Sequence, residues 1–253
     1  MAILDLSPDV WRSALDIPEG RQPVALVLEG TWWRARATQA RLARLTAVRE
    51  TSFPDIYLGD CQGVPIAYCC AYGAARAVEP AHIFAQIGTP LVIQIGSCGA
   101  MDPALQPGTV MVPDLATGRD GVSHLYHAGG AIALDAPTGA TARALMSQMN
   151  IPAARGSHLT WPSLFAQSDA ICAAWGDEGF RTVDMETAAV AAAACRFGAK
   201  AVALLTVWDA LSAGKCFLDP LTPAQTKAFA RSDAAIFEVA LELAKGVGLA
   251  RAA

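Results

Sequence analysis

The stretch LVIQIGSCGAMDPALQPG, from Leu91 to Gly108, decides the reading of the whole chain. An apolar run of Leu91, Val92, Ile93 and Ile95 is cut off by Gly96-Ser97-Cys98-Gly99. These small residues let backbone N–H groups and one hydroxyl approach a ligand closely. The pattern predicts a buried strand that ends in a tight binding loop. In an open α/β sheet, ligands collect outside the carboxyl ends of strands. The rest of the chain is therefore expected to supply walls and chemistry around this loop.

Working outward, the same strand, glycine, helix unit recurs. Val24 to Leu28 reads as a strand, followed by Gly30 and by Thr31 as cap of the helix TWWRARATQARLARL. Ile56 to Leu58 and Val64 to Ala71 read as strands joined by a turn at Gly59-Asp60, and Gly73 opens a helix to about Ile87. Beyond Gly108 come a strand at Thr109 to Val112 and a glycine-rich loop at 114–136. A helix at Thr138 to Met149 and a strand at Ala153 to Thr160 follow. VDMETAAVAAAACRFGAK is a strand end passing into an alanine-rich helix closed by Gly198. A strand at Ala201 to Val207 and a helix from Thr222-Pro223 to about Lys245 complete the pattern. Residues 1–22 are a lead-in segment with a short helix begun by Ser7-Pro8 and a turn at Pro18-Glu19-Gly20. Alternating strands and helices predict one α/β domain over 1–253, a twisted, mixed but mostly parallel sheet with helices on both faces.

Bulk properties narrow the function. With 253 residues, 53% of them hydrophobic, the chain can bury a sizeable single core. A net charge of −4 provides no field that gathers nucleic acid or an anionic membrane surface. Seven cysteines, odd in number and without a CxxC pair, read as reduced thiols of a cytoplasmic protein. No stretch approaches the ~18 apolar residues of a membrane span.

Several residues carry chemistry in this frame. Arg34, in the first turn of a helix, completes an anion site or is simply solvated beside Arg36, Arg41 and Arg44. His124 and His127 could share a metal with Asp120, though no helical pattern holds them on one face, and ordinary loop histidines are the default. Trp161-Pro162-Ser163-Leu164-Phe165 offers flat apolar surface for a heterocyclic base, or for the core. Asp184 and Glu186, at a strand-to-helix junction, could accept hydrogen bonds from vicinal sugar hydroxyls or complement the helix dipole. Asp209 ends an apolar strand, where partial desolvation raises a carboxyl group's pKa and makes it a usable general acid.

GSCGAMDPALQPGTVMV, VDMETAAVAAAACRFGAKAVALLTVWD and the turn from Gly30 to Arg34, in this order, resemble the purine nucleoside phosphorylase and uridine phosphorylase family, which also includes nucleosidases that use water. The resemblance runs roughly from Val24 to Lys245. It implies a single α/β domain assembled as a dimer or a trimer of dimers. Gly30, Arg34 and Ser97 match phosphate contacts, and Met185 with Glu186 matches the ribose-binding pair, Asp184 lying beside them. Cys98, Gly99, Leu164 and Phe165 fall where the base is held. Asp209 matches the aspartate that protonates N7 of a departing purine, an acid that uridine-specific members lack. The expected partners are a nucleoside and inorganic phosphate as co-substrate, with no metal, no organic cofactor, no nucleic acid and no membrane.

Two departures bear on the nucleophile. Gln94 stands where the family's phosphorylases carry an arginine, and Thr31-Trp32 where aspartate and proline are common. Arg76, three residues after Gly73, is the candidate replacement for the missing charge. The leading expectation is purine nucleoside phosphorolysis. Hydrolysis is favoured instead if Gln94 spoils the phosphate site, and a non-catalytic nucleoside-binding protein is the reading from another class. GSCGA lacks the GxGxxG spacing of a dinucleotide fold.

Overall fold

The computed structural model describes residues 3–18 and 20–252. Helix α1 (Pro8–Ala14) leads into β1 (Ala25–Gly30) and α2 (Arg34–Leu42). The strands β2 (Thr46–Glu50), β3 (Ile56–Cys61) and β4 (Val64–Cys70) form antiparallel pairs, followed by α3 (Ala74–Gln86) and β5 (Leu91–Ala100). Short strands β6 (Val110–Met111), β7 (Leu115–Gly118) and β8 (Ala131–Ala133) precede α4 (Ala136–Gln148). The chain continues through β9 (Ala153–Ala154), β10 (Ser157–Thr160), α5 (Asp169–Asp177) and β11 (Thr182–Asp184). It closes with α6 (Thr187–Arg196), β12 (Lys200–Asp209) and α7 (Pro223–Ala252). No helix among the described residues is long and apolar enough to cross a membrane.

Among the described residues all twelve strands belong to one mixed sheet, parallel at its centre where β4, β1, β5 and β12 lie side by side. Side chains alternate across β5, so Val92 joins α3 and α6 in one buried layer while Ile93 and Ile95 join α4 and α7 in the other. Six alanines of α6, all buried, let that helix lie close to the sheet and to α3. The expected fold class therefore holds: α/β with helices on both faces.

Several boundaries move. The strand β5 does not stop at Gly96 but runs through Ser97, Cys98 and Gly99 to Ala100. The turn between β3 and β4 is at Gln62-Gly63, both at positive φ (53° and 84°), and Gly59-Asp60 stays in the strand with Gly59 under Leu45. Helix α2 starts at Arg34, because Thr31 turns its hydroxyl back onto the Trp33 N–H at 3.3 Å instead of capping a helix. The span 114–136 holds β7, β8 and a 3₁₀ turn at Ser123–Leu125. Asp120 there accepts from the Val122 and Ser123 N–H groups as a local turn, and no metal-ligand cluster occurs among the described residues. Of the predicted turn Pro18-Glu19-Gly20, Glu19 lies outside the described residues.

The site is created by a change of partners along β5. On one edge β5 pairs with β1 in parallel only as far as Gly30↔Gly96, and β11 takes that edge antiparallel from Gly99 onward. On its other edge β12 accompanies it throughout, ending at Asp209↔Gly99. Ser97 and Cys98 are thus left between two departing strands, with backbone free of ladder bonds on one side. Gly96 is required at this fork, since a Cβ there would sit 2.8 Å from the Gly30 carbonyl oxygen. Gly96→Ala is expected to cost about 1–3 kcal/mol, seen as a lower Tm with the fold retained.

Candidate active site

Four chain segments converge at the fork: the end of β1, β5 from Ser97 to Gly99, the β11–α6 junction, and the end of β12. They enclose a narrow cleft of about 80 Å³. Gly30, Ser97, Cys98, Gly99, Leu164, Asp184, Met185, Glu186 and Asp209 all line it, as the sequence led us to expect.

The β11–α6 junction explains why Glu186 faces the cleft. Glu186 is the N-cap residue of α6, yet its side chain does no capping. Asp184 does that work instead, accepting from the Thr187 N–H (3.0 Å) and the Thr187 hydroxyl (2.5 Å), while Thr160 Oγ1 accepts from the Ala188 N–H (2.8 Å). Thr160 also donates to Asp184 at 2.8 Å, and His158 Nε2 approaches the same carboxylate to 2.9 Å, off the line of a well-aimed hydrogen bond. Asp184 is therefore a structural brace with both oxygens engaged. This corrects its expected place as a ribose contact. Glu186 is left with backbone anchors alone, chiefly the Gly73 N–H at 2.6 Å. Burial and the neighbouring Asp184 charge, against the Gly73 and Met185 N–H groups, push its carboxyl group up to about 8.

Asp209 closes the opposite wall. It is buried, and its Oδ1 has no hydrogen-bond partner. Burial, with a smaller contribution from the Asp219 charge, pushes its carboxyl group up to about 7. A buried carboxylic acid poised near neutrality in the lining of the cleft has the chemistry to donate a proton to a ligand.

The expected cations are not brought to this cleft. Arg34 turns to Asp55 (3.2 Å), and Arg76 turns to the Pro54 carbonyl (3.2 Å) and Glu79 (3.6 Å). Gln94 is buried within the sheet, its amide donating to the Ile95 carbonyl at 3.2 Å while its Oε1 has no partner. Among the described residues no Lys or Arg lines the cleft. Arg36 and Arg41 line an adjoining cavity of about 660 Å³ that shares Gly30 and Ser97. Phe165 also falls outside, 75% exposed on the rim, with its ring edge-on to Trp32 at 6.1 Å.

Sequence reasoning missed the aromatic walls. Trp32 donates to the Tyr72 hydroxyl at 2.6 Å, and Trp33 stacks on Trp208 at 5.3 Å. All four line the cleft, as do Gln167 and Phe217. The available signal was position: Trp32 and Trp33 follow Gly30, and Trp208 precedes Asp209.

Comparison with known proteins identifies the family and the fold. The family model of the phosphorylase superfamily matches residues 27–240. A DeoD-type purine nucleoside phosphorylase of Alkaliphilus metalliredigens (strain QYMF) is 27% identical over 139 residues, 53% of this chain and 58% of that protein. The chain thus matches only a little over half the length of that relative. Two crystal structures of a uridine phosphorylase from Vibrio fischeri ES114 superpose with TM-scores of 0.75 and, in complex with 6-hydroxy-1-naphthoic acid, 0.74. Their identities to this chain are 20% and 19%. Each covers 90% of this chain, and the matches span 94% and 93% of theirs.

Proposed function

The chain belongs to the phosphorylase superfamily, and from that premise we propose that it cleaves the N-glycosidic bond of a purine nucleoside, with phosphate as nucleophile. The observation that carries the reading is Asp209, a buried carboxylic acid with an unpartnered oxygen at the cleft wall. Breaking this bond builds positive charge on the sugar and negative charge on the departing base. Asp209 gives a proton to N7 of the purine, Glu186 accepts from the sugar hydroxyls, and Met185 packs beside them. Leu164 supports the base together with Cys98 and Gly99. A uracil ring has no N7 to use such an acid, so the reading favours purines, although the superposed structures are of a uridine phosphorylase.

Phosphate is assigned to the Gly30 backbone and the Ser97 hydroxyl, with Arg36 of the adjoining cavity as the cation within reach. Hydrolysis is the second reading, favoured by a cleft that no Lys or Arg lines among the described residues. Incubation with inosine, adenosine, methylthioadenosine and uridine, with and without phosphate, tests both. Phosphate-dependent purine release with ribose 1-phosphate formation is expected, and Arg36→Ala should raise the apparent KM for phosphate about tenfold, the worth of one charge-assisted hydrogen bond. Equal release without phosphate would establish hydrolysis, and preferred cleavage of uridine would overturn the purine assignment. Assembly as a homo-oligomer and a cytoplasmic location remain part of this reading, with sedimentation the check on the first.

A further inference from the structure

The cleft does not end at Asp209. Four of its lining residues, Leu164, Gln167, Asp209 and Phe217, also line a second cavity of about 230 Å³, larger than the cleft of about 80 Å³. This side cavity lies between the segment from Leu164 into α5 and the loop that follows β12. Asp169, Cys172, Leu211 and Gly214 in turn line both it and an outer cavity of about 760 Å³. The three spaces form a row that leads from the cleft, past Asp209, and along α5.

Both walls of the side cavity are shaped by bonds of their own. In the loop, the Gly214 N–H donates to the Leu211 carbonyl at 3.0 Å, the Lys215 N–H to the Ala210 carbonyl at 3.2 Å and the Cys216 N–H to the Asp219 carboxylate at 2.8 Å. Opposite, Ser168 caps α5 by accepting from the Ile171 N–H at 3.3 Å. Each of these bonds lies within one wall, and none spans the space between them. The lining is mostly apolar, with Leu164, Leu211, Phe217 and Leu218 among its residues. A concave space of this kind takes an apolar group, with its few polar neighbours fixing orientation.

The chemistry of a purine says which group that is. N7 and the substituent at C6 lie on the same edge of the ring system, so an acid that meets N7 stands beside whatever C6 carries. Asp209 lines the cleft and the side cavity alike. Resting on the nucleoside reading of the cleft, we infer that this protein takes purine nucleosides with an apolar substituent on the C6 amino group, the side cavity being the substituent's site. The base and sugar stay in the cleft, and the bond that breaks is the same.

The test compares adenosine with N6-benzyladenosine on the full chain, following binding by quenching of the cleft tryptophans and chemistry by base release. N6-benzyladenosine is expected to bind about tenfold more tightly and to be cleaved with about tenfold higher kcat/KM, the low end of what added apolar bulk is worth in a pocket that fits it. Cys216 is exposed and lines the side cavity but not the cleft, so Cys216→Trp should remove this advantage and leave adenosine cleavage unchanged. Binding of N6-benzyladenosine no tighter than that of adenosine, or an advantage that survives Cys216→Trp, would overturn the inference. If adenosine is cleaved and N6-benzyladenosine is not, the inference fails and the proposed function stands. Tighter binding of N6-benzyladenosine, lost in Cys216→Trp, with neither base released would instead overturn the proposed function and leave this inference standing.

Discussion

Asp209→Asn is expected to slow purine release by about 100- to 10,000-fold, the worth of a positioned proton transfer, while sugar binding through Glu186 persists. An amide keeps the size of the side chain and removes the proton that, in the proposed reaction, goes to the leaving base. Direct titration of a nucleoside by quenching of the cleft tryptophans would follow binding, and single-turnover base release would follow chemistry. Turnover equal to the parent protein would remove Asp209 from the mechanism.

The pH dependence follows from the same two carboxyl groups. The proposed reaction needs Asp209 protonated, so activity is expected to fall as pH rises through about 7. It also needs Glu186 ionised, so activity is expected to fall as pH drops through about 8. The expected profile is a narrow bell centred between these values, and Asp209→Asn should abolish its alkaline limb. Stability carries the opposite signature to that of a salt-bridged carboxylate. Both folded values lie above the ordinary ones of 3.8 and 4.5, so the folded state holds more protons and loses stability as pH climbs from about 4 to about 8.

Arg41→Ala is expected to destabilise the fold by about 3–5 kcal/mol, because it leaves a buried carboxylate without its cation. The guanidinium meets Glu29 through Nε (3.0 Å) and a terminal nitrogen (2.9 Å) and reaches Asp233 at 3.3 Å, while the Tyr68 hydroxyl donates to Glu29 at 2.8 Å. Arg41 and Glu29 are both almost fully buried, so solvent cannot take over. For a chain of this size the loss corresponds to roughly 6–20 °C in Tm. Glu29 immediately precedes Gly30, so the same variant should also loosen the cleft and raise KM. A Tm change under 2 °C would show that the pair is dispensable.

Glycine punctuation and apolar runs made most of the central sheet legible, since Leu91–Ile95 and Ala201–Val207 have no alternative to burial. Pairing was not legible. The small residues at 96–99 read as a turn, but the ladder to β12 keeps them extended, and local flexibility yields to a neighbouring strand. β2 and α5 escaped notice because TAVRE is mostly exposed and DAICAAWGD is short. Gly30, Ser97, Met185, Glu186 and Asp209, whose places are set by the backbone, do line the cleft. Arginines were not placed, because a long side chain at a known Cα can serve either of two carboxylates, and Arg34 takes Asp55. Asp184 was misread because its composition fits a sugar contact equally well, and only the donors around it decide.

The change of partners along β5 has an evolutionary side. The opening is cut by which strands hydrogen-bond where, and hydrogen bonds of the main chain are indifferent to most side chains. Wall residues can therefore change while the strands that leave the opening keep their pairing. Solved structures that differ at four residues in five still share this fold. Chemistry in such a scaffold drifts by repainting the walls, whereas the doorway stays where the backbone put it.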